Sequence, residues 1–352
     1  MMRSPMPRRR SNPRRFPAAS CLVVAAVLAQ GCVEAPPRQA APVPAIAREA
    51  GPQLGRDDDF AVVVTGSADD FASLAERYLG DRGKGWWIAE FNGIDAIRPG
   101  QTVVIPLRQT NRVGVRWTAF QTIPILCYHR FGSRSSQLTV TPAAFEAQME
   151  YLSRNGYYVI PLARLAGFLD GKEALPRKTV VVTIDDGYRS TYDIAYPILK
   201  KHGFPATVFL YSDFIGASDA LTWPQMKEMA GSGLIDIQPH SKTHANLALK
   251  LPEETDAKYH ERVRREVDAP IGVIQERLGI HSTAYAFPYG DVTDTVLDQL
   301  QRQGVHLAVT VTPGGNGFFA PPQMLRRSMV FGNDSLDVFK AKLVTSMPVM
   351  PR

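Results

Sequence analysis

Cysteine is nearly absent from this chain. Three occur among 352 residues, at positions 21, 32 and 127. Two of them fall within the first 32 residues, so Cys127 stands alone in the remainder and no internal disulfide framework is possible there. A long apolar run is missing as well. The stretch from Cys21 to Ala29 is well short of the roughly 20 residues that a membrane-spanning helix needs. An excess of one charge is also lacking. The formal net charge is +6, but Arg3, Arg8, Arg9, Arg10, Arg14 and Arg15 all precede the first acid, Glu34. Without them the 40 basic residues fall to 34 and match the 34 acidic ones. That removes the electrostatic case for a nucleic-acid partner. What is present is 45% hydrophobic and 21% charged residues, the composition of a globular core. The length suffices for one large domain and one small one.

The first 31 residues have the parts of an export signal: an arginine-rich start, then the short apolar stretch. Gly31-Cys32 follows at the distance of a cleavage site and resembles that of bacterial lipoproteins, so lipidation of Cys32 is expected. An ordinary secretory signal cut nearby is the alternative. Val33, not Asp, follows the cysteine, which in Gram-negative lipoproteins points to the outer membrane. The expected location is therefore the cell envelope, as an outer-membrane lipoprotein or a periplasmic protein, with membrane contact through the lipid. Residues 32–57, rich in Ala and Pro, read as an extended linker.

Residues 58–107 form a compact segment. Ala61 to Val64 reads as a strand, and Phe71, Leu74, Ala75 and Tyr78 make one helical stripe. Arg98-Pro99-Gly100-Gln101 marks a turn before the apolar strand Val103 to Pro106. This strand–helix–helix–strand order, with Pro-Gly-Gln ahead of the last strand, resembles a LysM module. The resemblance implies binding to N-acetylglucosamine-containing glycans such as peptidoglycan. A small structural domain is the alternative. Trp86-Trp87 is unusual in such a module and reads as either core or a sugar-stacking surface.

A second linker, 108–122, leads to a segment at 123–345 in which strands and helices alternate, followed by a tail at 346–352. Strands are expected at Ile125 to Tyr128, Tyr158 to Ile160, Val180 to Ile184, Ala206 to Leu210, Leu234 to Gln238, Tyr285 to Phe287 and Leu307 to Val311. Thr141-Pro142 opens a helix that turns Phe145, Met149 and Leu152 inward and ends at Asn155-Gly156. Repeating strand–helix units imply an α/β fold with a parallel sheet, open or closed into a barrel. Chemistry in such folds gathers at the carboxyl ends of the strands, where Asp185, Asp186, His240 and Tyr289 fall.

Two adjacent carboxylates, Asp185 and Asp186, repel each other and call for a cation or a shared proton nearby. His240 and His244 are four apart, a spacing that sets both imidazoles on one side of a helical turn. Two histidines and one carboxylate around a metal leave a position open for water, and the second carboxylate remains as a base. Phe287-Pro288-Tyr289-Gly290 is a rigid turn whose backbone N–H could face an oxyanion; taken alone it is simply a turn.

Together these residues resemble the NodB-homology polysaccharide deacetylases, carbohydrate esterase family 4. Thr183-Ile184-Asp185-Asp186-Gly187 is similar to their first motif, His240 to His244 to the second, and Phe287 to Gly290 to the third. The resemblance implies a distorted, incomplete (β/α) barrel and one divalent metal ion on Asp186, His240 and His244. Zinc is the default for that ligand set, with cobalt or nickel also suited. It further implies Asp185 as general base, the Tyr289 amide at the oxyanion, and Pro288, Gly290 and Arg327 around the substrate.

The sequence departs from the family pattern twice. The late Leu-x-Ile-His motif that supplies the acid is missing, whereas Ile125-Leu126-Cys127-Tyr128-His129 precedes the first motif. That order resembles the permuted branch, which includes poly-N-acetylglucosamine deacetylases, and implies His129 as general acid. Ala286 stands where the third motif usually has the arginine that orients the base, leaving Arg326 or Arg327 to supply the charge. The implied reaction is metal-assisted N-deacetylation of an N-acetylglucosamine polymer, with peptidoglycan the expected partner. An exopolysaccharide substrate, an O-acetyl ester substrate and a non-catalytic glycan-binding lipoprotein remain as alternatives.

Overall fold

A computed structural model describes residues 49–349. The expected export signal and Cys32 lie outside the described residues.

The N-terminal part is built on a three-stranded antiparallel sheet of β1 (Gln53–Arg56), β2 (Phe60–Val64) and β3 (Thr102–Pro106), in the order β1-β2-β3. Between β2 and β3 run α1 (Phe71–Leu79) and α2 (Gly85–Asn92). Asp70 caps α1 by accepting from the Ser73 amide, and the Ser73 hydroxyl receives the Asp70 N–H in return. Ala61 and Val63 of β2, Val103 and Ile105 of β3, Leu74 and Ala75 of α1 and Ile88 of α2 close a small core. The linker expected at 32–57 is too long by at least the four residues of β1. All four are exposed, so this edge strand is held by main-chain hydrogen bonds and leaves no apolar pattern to read.

The larger part begins with β4 (Ala119–Gln121) and β5 (Ile123–Tyr128). Then follow α3 (Pro142–Arg154), β6 (Thr179–Ile184), α4 (Tyr196–His202), β7 (Ala206–Leu210), α5 (Trp223–Gly231) and β8 (Ile235–Pro239). Next come α6 (Asp256–Leu278), β9 (Ala284–Ala286), α7 (Asp294–Arg302), β10 (Leu307–Val309), β11 (Ser328–Met329) and β12 (Ser346–Pro348). Strands β5, β6, β7 and β8 form a parallel ladder, β9 pairs with β10 in parallel, and β11 returns to pair in parallel with β5. Two joints in this ring lack a full ladder. Between β8 and β9 the side chain of Gln238 stands in, accepting from the Thr283 and Ala284 amides at 3.0 Å each. Between β10 and the approach to β11 there is a single bridge, Val309 to Leu325. The result is a distorted parallel barrel with two weak seams.

Strand β6 shows why the barrel forms. Every residue of Thr-Val-Val-Val-Thr-Ile is buried, as a strand covered on both faces requires. Val180, Val182 and Ile184 pack outward against α3 and α4, while Val181 faces inward among Ile125, Phe209, Val309 and Leu325. Thr183 and then Asp185 continue the inward row by the two-residue period of a strand. In α3, Thr141 caps the first turn and Phe145, Met149 and Leu152 are buried as the periodicity predicts.

Two boundaries shift at the far edge. Strand β12 pairs antiparallel with β4, so part of the expected tail and part of the expected second linker belong to one small sheet. Its three residues are exposed, which hid it from an apolar pattern in the same way as β1.

Candidate active site

The inward row of β6 ends in Asp185, buried at the mouth of the barrel. An extended chain would send the next side chain to the opposite face. Asp186 instead adopts φ 73°, a left-handed conformation that disfavours non-glycine residues, and so both carboxylates reach the same cavity. Ser241 (φ 75°), His244 (φ 62°) and Tyr289 (φ 62°) are bent in the same way. Backbone strain is therefore concentrated where the motifs lie.

The histidines follow β8. The spacing of four suggested a helical turn, but His240 to His244 is an irregular loop shaped by those two positive φ angles. The imidazoles nevertheless converge. His240 Nδ1 donates to the Ala286 carbonyl at 2.7 Å, which leaves Nε2 with its lone pair facing the cavity. The carboxylate of Glu266, on α6, braces the loop by accepting from the Lys242 and Thr243 amides and the Thr243 hydroxyl. Burial pulls the His240 pKa down against the opposing pull of Asp185 and Asp186, favouring the neutral, ligating form.

Asp186 Oδ1 lies 3.7 Å from His240 Nε2 and 3.4 Å from His244 Nε2. It is buried with no hydrogen-bond partner. Tetrahedral bonds of 2.0–2.1 Å would set ligand atoms about 3.3 Å apart. An orphaned carboxylate oxygen and two imidazole nitrogens at this separation fit a divalent ion of the zinc class.

Asp185 is not part of that cluster. Both its oxygens are held by Arg327, with Nη1 to Oδ1 at 2.6 Å and Nη2 to Oδ2 at 2.7 Å. Burial pushes the Asp185 carboxyl up, but the Arg327 guanidinium and then His240 outweigh it and hold the group well below the usual carboxylate range. Arg327 in turn donates through Nε to the Thr310 carbonyl and reaches Thr183 Oγ1. Its side chain is 0% exposed, so the expectation that Arg327 touches substrate is corrected: it holds the Asp185 carboxylate from below. Arg326 points away and donates to the Pro313 carbonyl.

His129 arrives from the end of β5 on the same inward row as Ile125 and Cys127. Ligand-capable atoms of Cys127, His129 and Asp185 lie within 4.8 Å of one another. This second trio is a poor metal site, because Arg327 occupies both Asp185 oxygens and burial raises the Cys127 thiol well above its ordinary value. It sets an imidazole beside the carboxylate instead, and His129 Nδ1 is buried without a partner. The Cys127 thiol donates toward Asp185 Oδ2 at 3.4 Å, a contact missed by reading Cys127 only as a small hydrophobe.

The third motif forms the opposite lip. Tyr289 is exposed, and its ring stands edge-on to His244 with centroids 4.9 Å apart. Pro288 is buried, so its expected place against substrate is corrected to shaping the turn. Gly290 has φ 79°, and a Cβ there would sit 2.5 Å from Val311 Cγ2; glycine lets the turn lie against the barrel rim.

Residues 172–308 match the family described as polysaccharide deacetylase. This segment is thus similar to polysaccharide deacetylases. A putative polysaccharide deacetylase of Bacillus subtilis is 32% identical over 192 residues, covering 54% of this chain and 65% of that protein. The poly-β-1,6-N-acetyl-D-glucosamine N-deacetylase of Escherichia coli K12 is 24% identical over 250 residues, covering 61% of this chain and 37% of that protein. The chain thus spans less than two thirds of the length of either relative. Among solved structures, a Streptococcus pyogenes deacetylase in complex with acetate superposes with a TM-score of 0.57 at 27% identity, covering 63% of this chain and 98% of that one. The matched family segment contains Asp185, Asp186, His240, His244 and Tyr289. His129 and Arg327 lie outside it, just past β5 and just before β11, and barrel closure brings them to the same site.

Proposed function

We propose that this chain hydrolyses N-acetyl groups on an N-acetylglucosamine-containing polysaccharide of the cell envelope. The observation that carries the reading is the division of two adjacent carboxylates into separate roles. Asp185 is clamped by Arg327, and Asp186 faces two imidazoles with no other partner.

Asp186, His240 and His244 would hold a divalent ion, which would supply Lewis acidity toward an acyl oxygen and toward water. The remaining steps belong to the protein. Asp185 is ionised throughout the physiological range, and of the two lone-pair sites beyond those that Arg327 uses, the one on Oδ2 faces the Cys127 thiol and the one on Oδ1 remains for water. It orients the attacking water and accepts its proton as charge develops on attack. The Tyr289 N–H stabilises the oxyanion, and His129 donates a proton to the departing amine. Acetate and a free amino sugar are the products.

Peptidoglycan is the polymer we favour, because a LysM-like module on the same chain would hold the enzyme to that wall. Poly-β-1,6-N-acetylglucosamine is the second reading, favoured by the named activity of the E. coli relative and by the position of His129 ahead of the first motif. Lipidation at Cys32 would tether the chain to the outer membrane. The test is acetate release from purified peptidoglycan and from poly-N-acetylglucosamine, with and without chelator. Chelator-sensitive release from one polymer supports the reading and selects the substrate. Release from neither, by protein that binds metal, turns it toward an O-acetyl ester.

A further inference from the structure

A second pocket, of about 250 Å³, lies away from the metal cluster, where α2 meets the deacetylase domain. Trp87 and Phe91 line it from one side of α2, one helical turn apart, and Glu90 lies between them in sequence. The Gln109–Arg116 loop supplies Asn111 and Arg116, and Arg177 comes from the segment before β6. The volume suits one sugar ring with a substituent. Aromatic walls with amide and guanidinium groups are the chemistry that recognises a pyranose: an apolar face to stack on and polar edges to bond.

The charges select among sugars. Arg177 holds Glu90 through an ion pair at 3.3 Å and a backbone N–H bond at 2.7 Å. Arg108, on the same wall, is paired with Asp59 at 3.3 Å. Among the described residues Arg116 has no carboxylate within ion-pair distance. Partial desolvation and then the like charge of Arg177 pull its pKa below the ordinary arginine value, with Glu90 opposing. A negative group placed between the two guanidiniums would relieve that repulsion.

We infer that this junction pocket binds a saccharide unit bearing a carboxylate, stacked on Trp87 and Phe91 with its acid group on Arg116. The inference rests on the envelope-glycan reading above and deepens it. A glycan whose sugars carry lactyl carboxylates would be held here while another stretch enters the deacetylase site. A neutral N-acetylglucosamine polymer would gain nothing from Arg116.

The test is calorimetric titration of the mature chain with two disaccharides. One is N-acetylglucosamine linked to N-acetylmuramic acid, which carries a carboxylate; the other is neutral di-N-acetylchitobiose. The acidic disaccharide should bind about tenfold more tightly, the worth of one charge-assisted contact. Arg116→Ala should abolish that preference and leave the neutral affinity in place, with an unchanged thermal midpoint because the side chain is exposed. Trp87→Ala should weaken the acidic ligand independently. Equal binding of both sugars, a preference that survives Arg116→Ala, or binding of neither overturns the inference. Acetate release is measured separately on the same protein. Preference without release would reject the deacetylase reading and keep the pocket, and release without preference would do the reverse.

Discussion

Arg327 and Asp185 are joined by two parallel charge-assisted hydrogen bonds inside the barrel, although 142 residues separate them in the chain. Neither side chain is appreciably exposed. The fork fixes the carboxylate plane and keeps Asp185 ionised, so position and charge state have one cause.

Asp185→Asn should lower the deacetylation rate by about 10²–10⁴. The change also strands a buried guanidinium, a loss of about 3–5 kcal/mol. Urea unfolding should show that loss. The double variant Asp185→Leu/Arg327→Met should recover much of the stability while remaining inactive. If the single variant unfolds like the parent, the buried pair contributes nothing to stability.

Glu266→Gln should act at a distance. Glu266 accepts three hydrogen bonds from the loop between the two histidines and bonds to neither imidazole. Loss of such support costs a metal site about 10–100-fold in affinity. Competition with a chromophoric chelator would measure it. Unchanged affinity would mean that the loop holds its shape through Ser241 and its own backbone.

The strands and the grouping of Asp186, His240 and His244 were legible because both follow simple rules. Apolar runs such as Val180 to Ile184 mark buried strands, and the two-residue period carries Thr183 and Asp185 inward and aligns Cys127 with His129. The loop geometry was not legible: left-handed φ angles at Asp186, Ser241 and His244 leave no side-chain pattern. Arg327 was half legible. The missing motif arginine said that a charge was needed, but a pair of arginines reads as surface, and only barrel closure through β11 shows that one of them is buried. Glu266 was not legible although it lies on the buried face of α6 with Val263, Val267 and Pro270, because its partners are backbone amides 23 and 24 residues away. Strands β1 and β12 escaped because main-chain bonding alone holds them.

His129→Ala separates proton donation from the rest of the chemistry. Hydrolysis of an acetamide needs a proton on the leaving nitrogen, whereas an aryl acetate with a phenolate leaving group does not. The variant should lose about 10²–10⁴ on the amide and retain most of its rate on the ester, at unchanged metal content. Equal losses on both substrates would assign His129 to binding or to support of Asp185.

Glu254 and Arg262 close the segment that follows His244. Arg262 donates to both Glu254 oxygens at 2.8 Å and to the Leu249 carbonyl at 2.8 Å. The hydrogen bonds from Arg262, only partly opposed by desolvation, bring the Glu254 pKa down to about 2. Its unfolded value is about 4.3. A folded pKa below the unfolded one stabilises the protein above the unfolded value, and that contribution is lost as pH falls through the folded one. The thermal midpoint of Glu254→Gln should therefore lie below the parent's by a constant amount from pH 7 to about 5. The gap should narrow below about pH 4.3 and close near pH 2. A gap that stays constant down to pH 3 would show that the clamp works by shape and not by charge.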